Sequence, residues 1–287
     1  MINKMILGTV QFGLNYGITN TTGKIEGNEL DKIFEFCDNN KIYYFDTAQD
    51  YGDSENIILK YKQKFTNFQI ITKAKFLNKD IPKTIDISVA KFEYINYFLL
   101  HSFTDYDPFV IEQLKKNKAI SKIGKIGVSV YTVEEAIMCL KDLNIDCIQI
   151  PFNYLDRQWF NEEFQKLISY RKIEIHVRSI FLQGILLNPI KKYPLNISID
   201  DFNTINNKID NLCTYFNLSR LELCFAYINS FDWITKFLIG IDNYQHLLLN
   251  YDIINKNLKL TEEQINIIHN KLNNINPLIT NPSKWIF

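Results

Sequence analysis

The sequence predicts a (β/α)8 TIM barrel, an α/β fold in which eight parallel strands alternate with helices and close on themselves. Eight short apolar runs, typical of buried parallel strands, are spread along the 287 residues, and helical patterns follow most of them. Three of these runs end in a polar residue, Asp46, Lys73 and His101, at intervals of 27 and 28 residues (46 to 73 and 73 to 101). A strand and its crossover helix occupy about 30 residues, so these three side chains should lie at the same end of successive strands.

The predicted strands are short, apolar and rich in β-branched and aromatic residues, which favours strands over buried helices. Right-handed crossovers between successive strands, together with a total of eight, favour a closed barrel over an open sheet. The predicted strands are Lys4–Leu7, Ile42–Asp46, Gln69–Lys73, Tyr97–His101, Lys125–Ser129, Cys147–Pro151, Glu174–Arg178 and Ile234–Gly240.

Amphipathic helical patterns separate most of these strands. Apolar residues recur in them at three–four spacing, which places one apolar stripe against the barrel. Thr132 followed by Glu135 is typical of a capping box and predicts a helix after the fifth strand. The clearest patterns fall at 28–40, 108–117, 132–143 and 159–171.

Three segments depart from a simple alternation of strand and helix. Segment 79–96 predicts only a short helix of poor periodicity. The interval from Arg178 to Gly240 is too long for one helix, and the patterns at 199–216 and 219–231 predict an extra helix before the eighth strand. The pattern at 261–273 predicts a C-terminal helix.

Composition narrows the class of protein. The chain is 46% hydrophobic, with 21 Phe and 16 Tyr, and no linker divides it, so we expect a single domain over residues 1–287. Lys plus Arg and Asp plus Glu both number 32, so neither nucleic acid nor a membrane surface is predicted as a partner. The five cysteines form no CxxC pair and fall in apolar patterns; with no signal peptide or membrane span, they predict a cytoplasmic protein.

A tyrosine completes the group of polar residues at the strand ends. Tyr51 follows Asp46 by five residues, in the segment DTAQDYGDSE. The ordinary pKa of tyrosine is about 10, so a nearby cation is needed to lower it for proton donation near neutral pH. Lys73 can supply that charge while Asp46 keeps it protonated, and His101 can donate a second hydrogen bond to a substrate oxygen. These groups suit a carbonyl attacked by hydride, since no nucleophilic Ser or Cys stands out and metal-ligand spacing is absent.

The same residues resemble the fingerprint of the aldo-keto reductases. The family's D-T-A-x-x-Y-G segment is similar to Asp46–Gly52, its lysine to the one ending ITK at Lys73, and its histidine to the one ending LLH at His101. The segments LGTVQFG, IGVS and IQIPFNYLDR also resemble the family, so the resemblance extends over nearly the whole chain. It implies a TIM-barrel, NAD(P)-dependent oxidoreductase with Asp46, Tyr51, Lys73 and His101 as catalytic residues.

The resemblance also implies a nicotinamide dinucleotide that lies extended across the barrel rim without a Rossmann fold. No GxGxxG motif follows the first strand, in agreement with that expectation. Arg178 stands where many members have a tyrosine that stacks on the nicotinamide; a guanidinium can stack too, but less favourably on an oxidised, cationic ring. By position, Gly8, Thr9, Val10 and Asp46 would line the nicotinamide end, and Ser129 and Gln149 would hold its carboxamide.

The segment FLIGIDNYQHLLLN resembles the family's phosphate-binding loop, with Gly240 and Asn250 in place. Members selective for a 2′-phosphate generally carry Lys or Arg in this segment, because a dianion needs a cationic partner. Here Asp242 follows the glycine and His246 occupies the usual arginine position. An acidic residue near the ribose favours a free 2′-hydroxyl in other dinucleotide sites, so the expected cofactor is NAD or NADP, with NAD preferred.

Three classes of function remain open. The leading one is hydride transfer between the nucleotide and a small carbonyl or alcohol substrate, with Tyr51 as general acid/base and a sugar or sugar derivative as an expected substrate. Arg178 motivates a redox-neutral epimerase or lyase that retains its nucleotide. The third is a nucleotide-binding sensor or auxiliary subunit, since fold does not fix function. The expected assembly is a monomer or a small homo-oligomer.

A few other side chains carry weaker expectations. Tyr16, Phe103 and Phe152 are candidates for an apolar substrate wall. Trp285 would either close over the substrate or pin the C-terminal tail, and His176 is expected to be a packed interior residue of the seventh strand.

Overall fold

The computed structural model describes residues 1–189 and 193–287, and at its centre lies a closed barrel of eight parallel strands. Each strand pairs with its neighbours in chain order and the last pairs with the first, which confirms the predicted (β/α)8 fold. The strands are β1 (Met5–Gly8), β2 (Tyr44–Asp46), β3 (Gln69–Ala74), β4 (Ile95–Leu100), β5 (Ile123–Ser129), β6 (Cys147–Pro151), β7 (Glu174–Arg178) and β8 (Lys236–Ile239).

The carboxyl ends of the strands bring the predicted polar residues to one rim of the barrel. In the strand register Gly8 pairs with Asp46, and Ser129 pairs with Gln149. His101 lies one residue beyond β4, where its backbone N–H donates to Ala74 O at 2.9 Å. Strand β8 is shorter than predicted, so Gly240 lies in the loop that follows it.

Helices surround the barrel, and both additions to the simple alternation are confirmed: α8 precedes α9 and β8, and α11 lies near the C-terminus. Thr132 and Glu135 form the predicted capping box of α6. Within the described residues, none of the helices is both long and apolar enough to span a bilayer. The helices are α1 (Val10–Gly13), α2 (Asn28–Asn39), α3 (Ser54–Lys64), α4 (Ile81–Phe92), α5 (Pro108–Ala119), α6 (Val133–Lys141), α7 (Glu162–Arg171), α8 (Ile199–Phe216), α9 (Arg220–Asn229), α10 (Tyr244–Asn255), α11 (Glu262–Lys271) and α12 (Pro277–Thr280).

Helix α4 is longer and more regular than the sequence predicts. It spans 12 residues, and the side chain of Asp80 caps it by accepting from Lys83 N. Its buried face includes Thr84 and Ser88, which are polar. Thr84 Oγ1 donates to Asp80 O at 2.7 Å and Ser88 Oγ donates to Glu55 at 2.8 Å, so both hydroxyls are satisfied when buried. The expectation of a short helix was wrong because these polar residues interrupt the apolar pattern without interrupting the buried face.

The barrel interior below the polar rim is packed. Ile6, Ile71, Leu99 and Cys147 form a buried cluster with Tyr97, separate from the larger core between barrel and helices. This interior cluster fills the barrel as alternate inward-facing residues do in this fold. All five cysteines of the chain are buried and unpaired.

Glu174 contacts three polar side chains at the amino-terminal end of the barrel. It accepts a hydrogen bond from Tyr97 Oη at 2.9 Å, lies 3.3 Å from His176 Nε2 and forms an ion pair with Lys125. His176 is fully buried, which confirms it as a packed interior histidine, and this burial lowers its pKa. We call Glu174, Tyr97, Lys125 and His176 the floor of the barrel.

Candidate active site

The carboxyl-terminal rim surrounds a cavity of about 920 Å³, at the upper end of the range for ligand pockets. It runs from the ends of β1–β4 across the barrel to the amino-terminal ends of α9 and α10. Every residue predicted as catalytic or cofactor-binding lines this cavity: Gly8, Thr9, Val10, Asp46, Tyr51, Lys73, His101, Ser129, Gln149, Arg178, Gly240, Asp242, His246 and Asn250.

Asp46 and Lys73 form an ion pair within the rim, and each is 2% exposed. Lys73 Nζ donates to one carboxylate oxygen of Asp46, and Gln149 Nε2 donates to the other at 2.8 Å. Burial lowers the pKa of Lys73, while the carboxylate of Asp46 acts in the opposite direction. Both carboxylate oxygens are therefore engaged, and the charge of Lys73 is compensated inside the wall of the cavity.

Tyr51 lies beside this ion pair, with Lys73 Nζ 5.1 Å from the centroid of its ring. Burial raises the pKa of Tyr51 above its ordinary value, and Asp46 raises it further. The net shift is upward, so the lowered pKa that was expected beside Lys73 is not found in the protein alone. The cation that does lower the pKa of Tyr51 is Arg178. The phenol of Tyr51 is thus protonated at neutral pH.

Two glycines allow the turn that carries Tyr51 to pack closely on α1. Tyr51 N donates to Ala48 O at 3.0 Å, and Ser54 N donates to Tyr51 O at 3.1 Å. A Cβ on Gly13 would lie 1.8 Å from Tyr51 O, and one on Gly52, whose φ is +55°, would lie 2.5 Å from Gly13 O. Only glycine permits this approach, so α1 fixes the depth at which Tyr51 enters the cavity.

His101 meets Tyr51 edge to face, with ring centroids 5.7 Å apart and an interplanar angle of 83°. Burial, with the positive charges of Lys73 and Lys75, lowers the pKa of His101 to about 3. Its Nδ1 is buried without a hydrogen-bond partner among the described residues, and the carboxylate of Asp50 lies 3.9 Å away. The imidazole is therefore neutral at physiological pH and suited to donating a hydrogen bond from one nitrogen.

Hydroxyl groups tie the loop after β1 to the same rim. Thr9 Oγ1 donates to Asp46 O at 2.9 Å and lies 2.6 Å from Ser54 Oγ, which also accepts from Thr47 Oγ1 at 3.0 Å. Thr9, Thr47 and Ser54 are all fully buried. The loop after β1 is consequently held against β2 and the turn of Tyr51.

The end of the cavity next to α10 contains groups that fit a bound nucleotide. Gln11 Oε1 is buried and has no hydrogen-bond partner among the described residues, and Gln11 lines the cavity. Gln11 Nε2 lies 3.5 Å from a carboxylate oxygen of Asp242, whose other oxygen is 3.8 Å from His246 Nδ1. The side chain of Asn243 caps α10, so the amino-terminal end of that helix faces the same space. An unsatisfied amide oxygen and a helix terminus suit a polar, elongated ligand such as a dinucleotide.

Not all the weaker expectations are confirmed. Tyr16 lines the cavity. Phe152 is buried among aromatic residues, with its ring centroid 5.5 Å from that of Tyr227, and Phe103 stacks on Tyr106, so the prediction that they form a substrate wall was wrong.

Trp285 pins the C-terminal tail. Its Nε1 donates to Leu278 O at 2.8 Å, its side chain is 9% exposed, and it does not line the cavity. Of the two roles expected for Trp285, the structure therefore supports anchoring.

Tyr131 and Arg220 are among the residues that line the cavity and that sequence reasoning missed. Tyr131 lies two residues beyond Ser129, so the strand alternation of β5, continued past its end, could have indicated it. Arg220 is the first residue of α9 and reaches the cavity through the packing of α8 against α9, for which the sequence offers no local signal.

Comparison with known proteins identifies the family and agrees with the fold. The family model described as the aldo/keto reductase family matches residues 4–273. Among solved structures, an aldo-keto reductase from Bacillus halodurans in its holo form is similar, with a TM-score of 0.73 and 20% identity, over 93% of this chain and 91% of that one. A glycerol dehydrogenase from Gluconobacter oxydans is similar with a TM-score of 0.72 and 17% identity, over 96% of this chain and 92% of that one. A search of curated proteins finds no significant match. With the family model matching nearly its whole length, this chain belongs to the aldo/keto reductase family and is an NAD(P)-dependent oxidoreductase.

Proposed function

We propose that the protein reduces the carbonyl group of a small polar molecule and that Tyr51 is its general acid. The observation that carries this proposal is the meeting of Tyr51, the Lys73–Asp46 ion pair and a neutral His101 in one cavity. The resemblance to the aldo-keto reductases assigns catalytic roles to the same four residues.

In this mechanism a bound nicotinamide supplies the hydride that the substrate carbon accepts. The hydroxyl of Tyr51 donates its proton to the carbonyl oxygen, and His101, because it is neutral, donates a second hydrogen bond there without competing as an acid. Asp46, which also accepts a hydrogen bond from Gln149, holds Lys73 beside the ring of Tyr51. Burial keeps Tyr51 protonated, which is the form that reduction requires.

The replacement of Tyr51 by phenylalanine tests this assignment. In Tyr51→Phe we expect kcat to fall by about a thousandfold, because the proton donor is lost, while the Kd for the nucleotide changes only a few-fold. Tyr106→Phe removes the same hydroxyl outside the cavity, where it donates to Asp142 at 2.8 Å, and serves as the matched control. Turnover is followed by nicotinamide absorbance, and near-normal kcat in Tyr51→Phe would overturn the assignment.

We further propose that NAD is preferred over NADP. The segment 240–250 contains no Lys or Arg, and Asp242 contributes a carboxylate to the wall of the cavity. A 2′-phosphate would lie without a cation from this segment and near an anion, which is unfavourable. Fluorescence titration with NADH and NADPH measures the two Kd values, and tighter binding of NADPH would contradict the preference.

A sugar, polyol or related small molecule is the substrate class we propose. Hydroxyl and amide side chains such as Thr19, Thr21 and Gln183 line the open part of the cavity. One similar structure is that of a glycerol dehydrogenase, which fits this class. A cytoplasmic location remains a prediction, supported by the unpaired cysteines.

A further inference from the structure

Arg178, at the end of β7, presents its guanidinium to the cavity. One terminal nitrogen donates to Val130 O at 3.1 Å and the other to Ser179 Oγ at 3.4 Å. The guanidinium carbon lies 4.3 Å from the centroid of the Tyr131 ring, so one face of the group is covered. Arginine has five N–H donors, and these contacts occupy only two of them. The remaining donors and the second face are available to a ligand.

Arg178 differs from the other cationic side chains that line the cavity. Lys73 is paired with Asp46, and Arg220 is paired with Asp210 at 2.7 Å. Across residues 1–189 and 193–287, Arg178 has no carboxylate within the 4.0 Å of an ion pair. The half of the cavity that holds Tyr51 therefore carries a net positive charge from the protein.

One acid, Asp156, is affected by this charge from beyond the distance of an ion pair, and its carboxylate oxygens accept from other donors. Asp156 is 5% exposed and accepts from Gln158 Nε2 at 3.0 Å and from Trp159 Nε1 at 3.3 Å. Burial raises the pKa of Asp156, while these hydrogen bonds and the charge of Arg178 act in the opposite direction. The positive charge of Arg178 also lowers the pKa of Tyr51 and of His101, so it acts where the reaction takes place.

A partly buried guanidinium without a counter-ion is costly unless a ligand provides one. We infer that Arg178 binds an oxyanion group of the substrate, a carboxylate or a phosphate, in the same cavity in which Tyr51 protonates the carbonyl. Such groups match the planar donors of arginine in a bidentate geometry. This inference rests on the proposed reductase function, and it replaces stacking on the nicotinamide as the main role of Arg178.

The test compares aldehydes that differ only by the anionic group. Succinic semialdehyde against butanal tests a carboxylate, and glyceraldehyde 3-phosphate against glyceraldehyde tests a phosphate. We expect the wild-type protein to favour the anionic member of at least one pair in kcat/KM. In Arg178→Gln that preference should fall by about 100-fold, with the neutral aldehyde changed only a few-fold, and Arg178→Lys should restore part of it.

Arg220→Gln is the matched control, because it removes the same group from the same cavity where a carboxylate already pairs with it. Its preference ratio should equal that of the wild type. The inference is overturned if the wild type shows no anionic preference in either pair. It is also overturned if Arg178→Gln weakens nucleotide binding while leaving the preference for the anionic aldehyde unchanged. That result would show that Arg178 binds the nucleotide and not the substrate.

A binding measurement separates failure of the inference from failure of the proposed function. If no aldehyde turns over, the reductase proposal loses its support, and calorimetric titration of the protein–nucleotide complex with succinate and with succinamide then tests Arg178 directly. Tighter binding of succinate that is lost in Arg178→Gln supports the inference. Equal binding of the two compounds overturns it.

Discussion

The close contact between α1 and the turn of Tyr51 leads to a quantitative prediction for Gly13→Ala. The added Cβ would lie 1.8 Å from Tyr51 O and 2.8 Å from Ser54 N, both of them backbone atoms that cannot rotate away. Since Cβ contacts below 3.0 Å are essentially never found, the turn must retreat by about 1.2 Å (3.0 minus 1.8). A misplacement of about 1 Å in a catalytic group costs about 100-fold in rate, so we expect kcat to fall by about that factor.

Steady-state kinetics with a carbonyl substrate, together with nucleotide titration, measures the effect. The Kd for the nucleotide should stay within a few-fold of the wild-type value, because Gly13 does not line the cavity. Gly27→Ala is the control: Gly27 has φ +59°, so alanine is strained there by about 1–3 kcal/mol, but its Cβ would meet nothing within 4 Å. Gly27→Ala should lower stability and leave kcat unchanged. A folded Gly13→Ala protein with kcat within threefold of the wild type would refute the reasoning.

Two further predictions concern stability. His101 has a folded-state pKa of about 3 against 6.5 in the unfolded chain, so the unfolded state takes up the proton first and the free energy of unfolding should fall as pH drops from 6.5 towards 3. Urea titrations across that window measure the free energy of unfolding at each pH, and this free energy should change less steeply with pH in His101→Gln. An unchanged pH dependence would contradict the assignment. Trp285→Ala should cost about 3 kcal/mol in urea unfolding with kcat/KM unchanged, since Trp285 anchors the tail and does not line the cavity; a specific loss of kcat/KM would instead place it at the substrate.

The sequence is sufficient to predict the barrel because its strands are continuous apolar runs with polar residues at one end. The order of Asp46, Lys73 and His101 along the chain reflects the order of β2, β3 and β4 around the barrel, so linear spacing translates into a shared rim. Helix α4 was underestimated because Thr84 and Ser88 bury hydroxyls that find partners only in the folded chain.

The electrostatics of the site could not be predicted in the same way. The sequence predicts that Asp46 pairs with Lys73 near Tyr51, but it does not reveal that burial dominates the pKa of the phenol. Arg178 stood out in the sequence as an unusual residue, yet the absence of a carboxylate partner for it in the described part of the chain depends on side chains from several elements. Spacing along a chain specifies which groups meet, whereas their charges depend on every neighbour that the fold supplies.

The floor of the barrel has a consequence for the order of events during turnover. Glu174, Tyr97, Lys125 and His176 close the amino-terminal end beneath the packed interior cluster, so the cavity communicates with solvent through its rim. A nucleotide and a substrate that share this one opening cannot enter or leave independently of each other. The molecule whose reactive end lies deeper must bind first and dissociate last. Access through the rim, more than the chemistry in the cavity, then sets the order of binding and release.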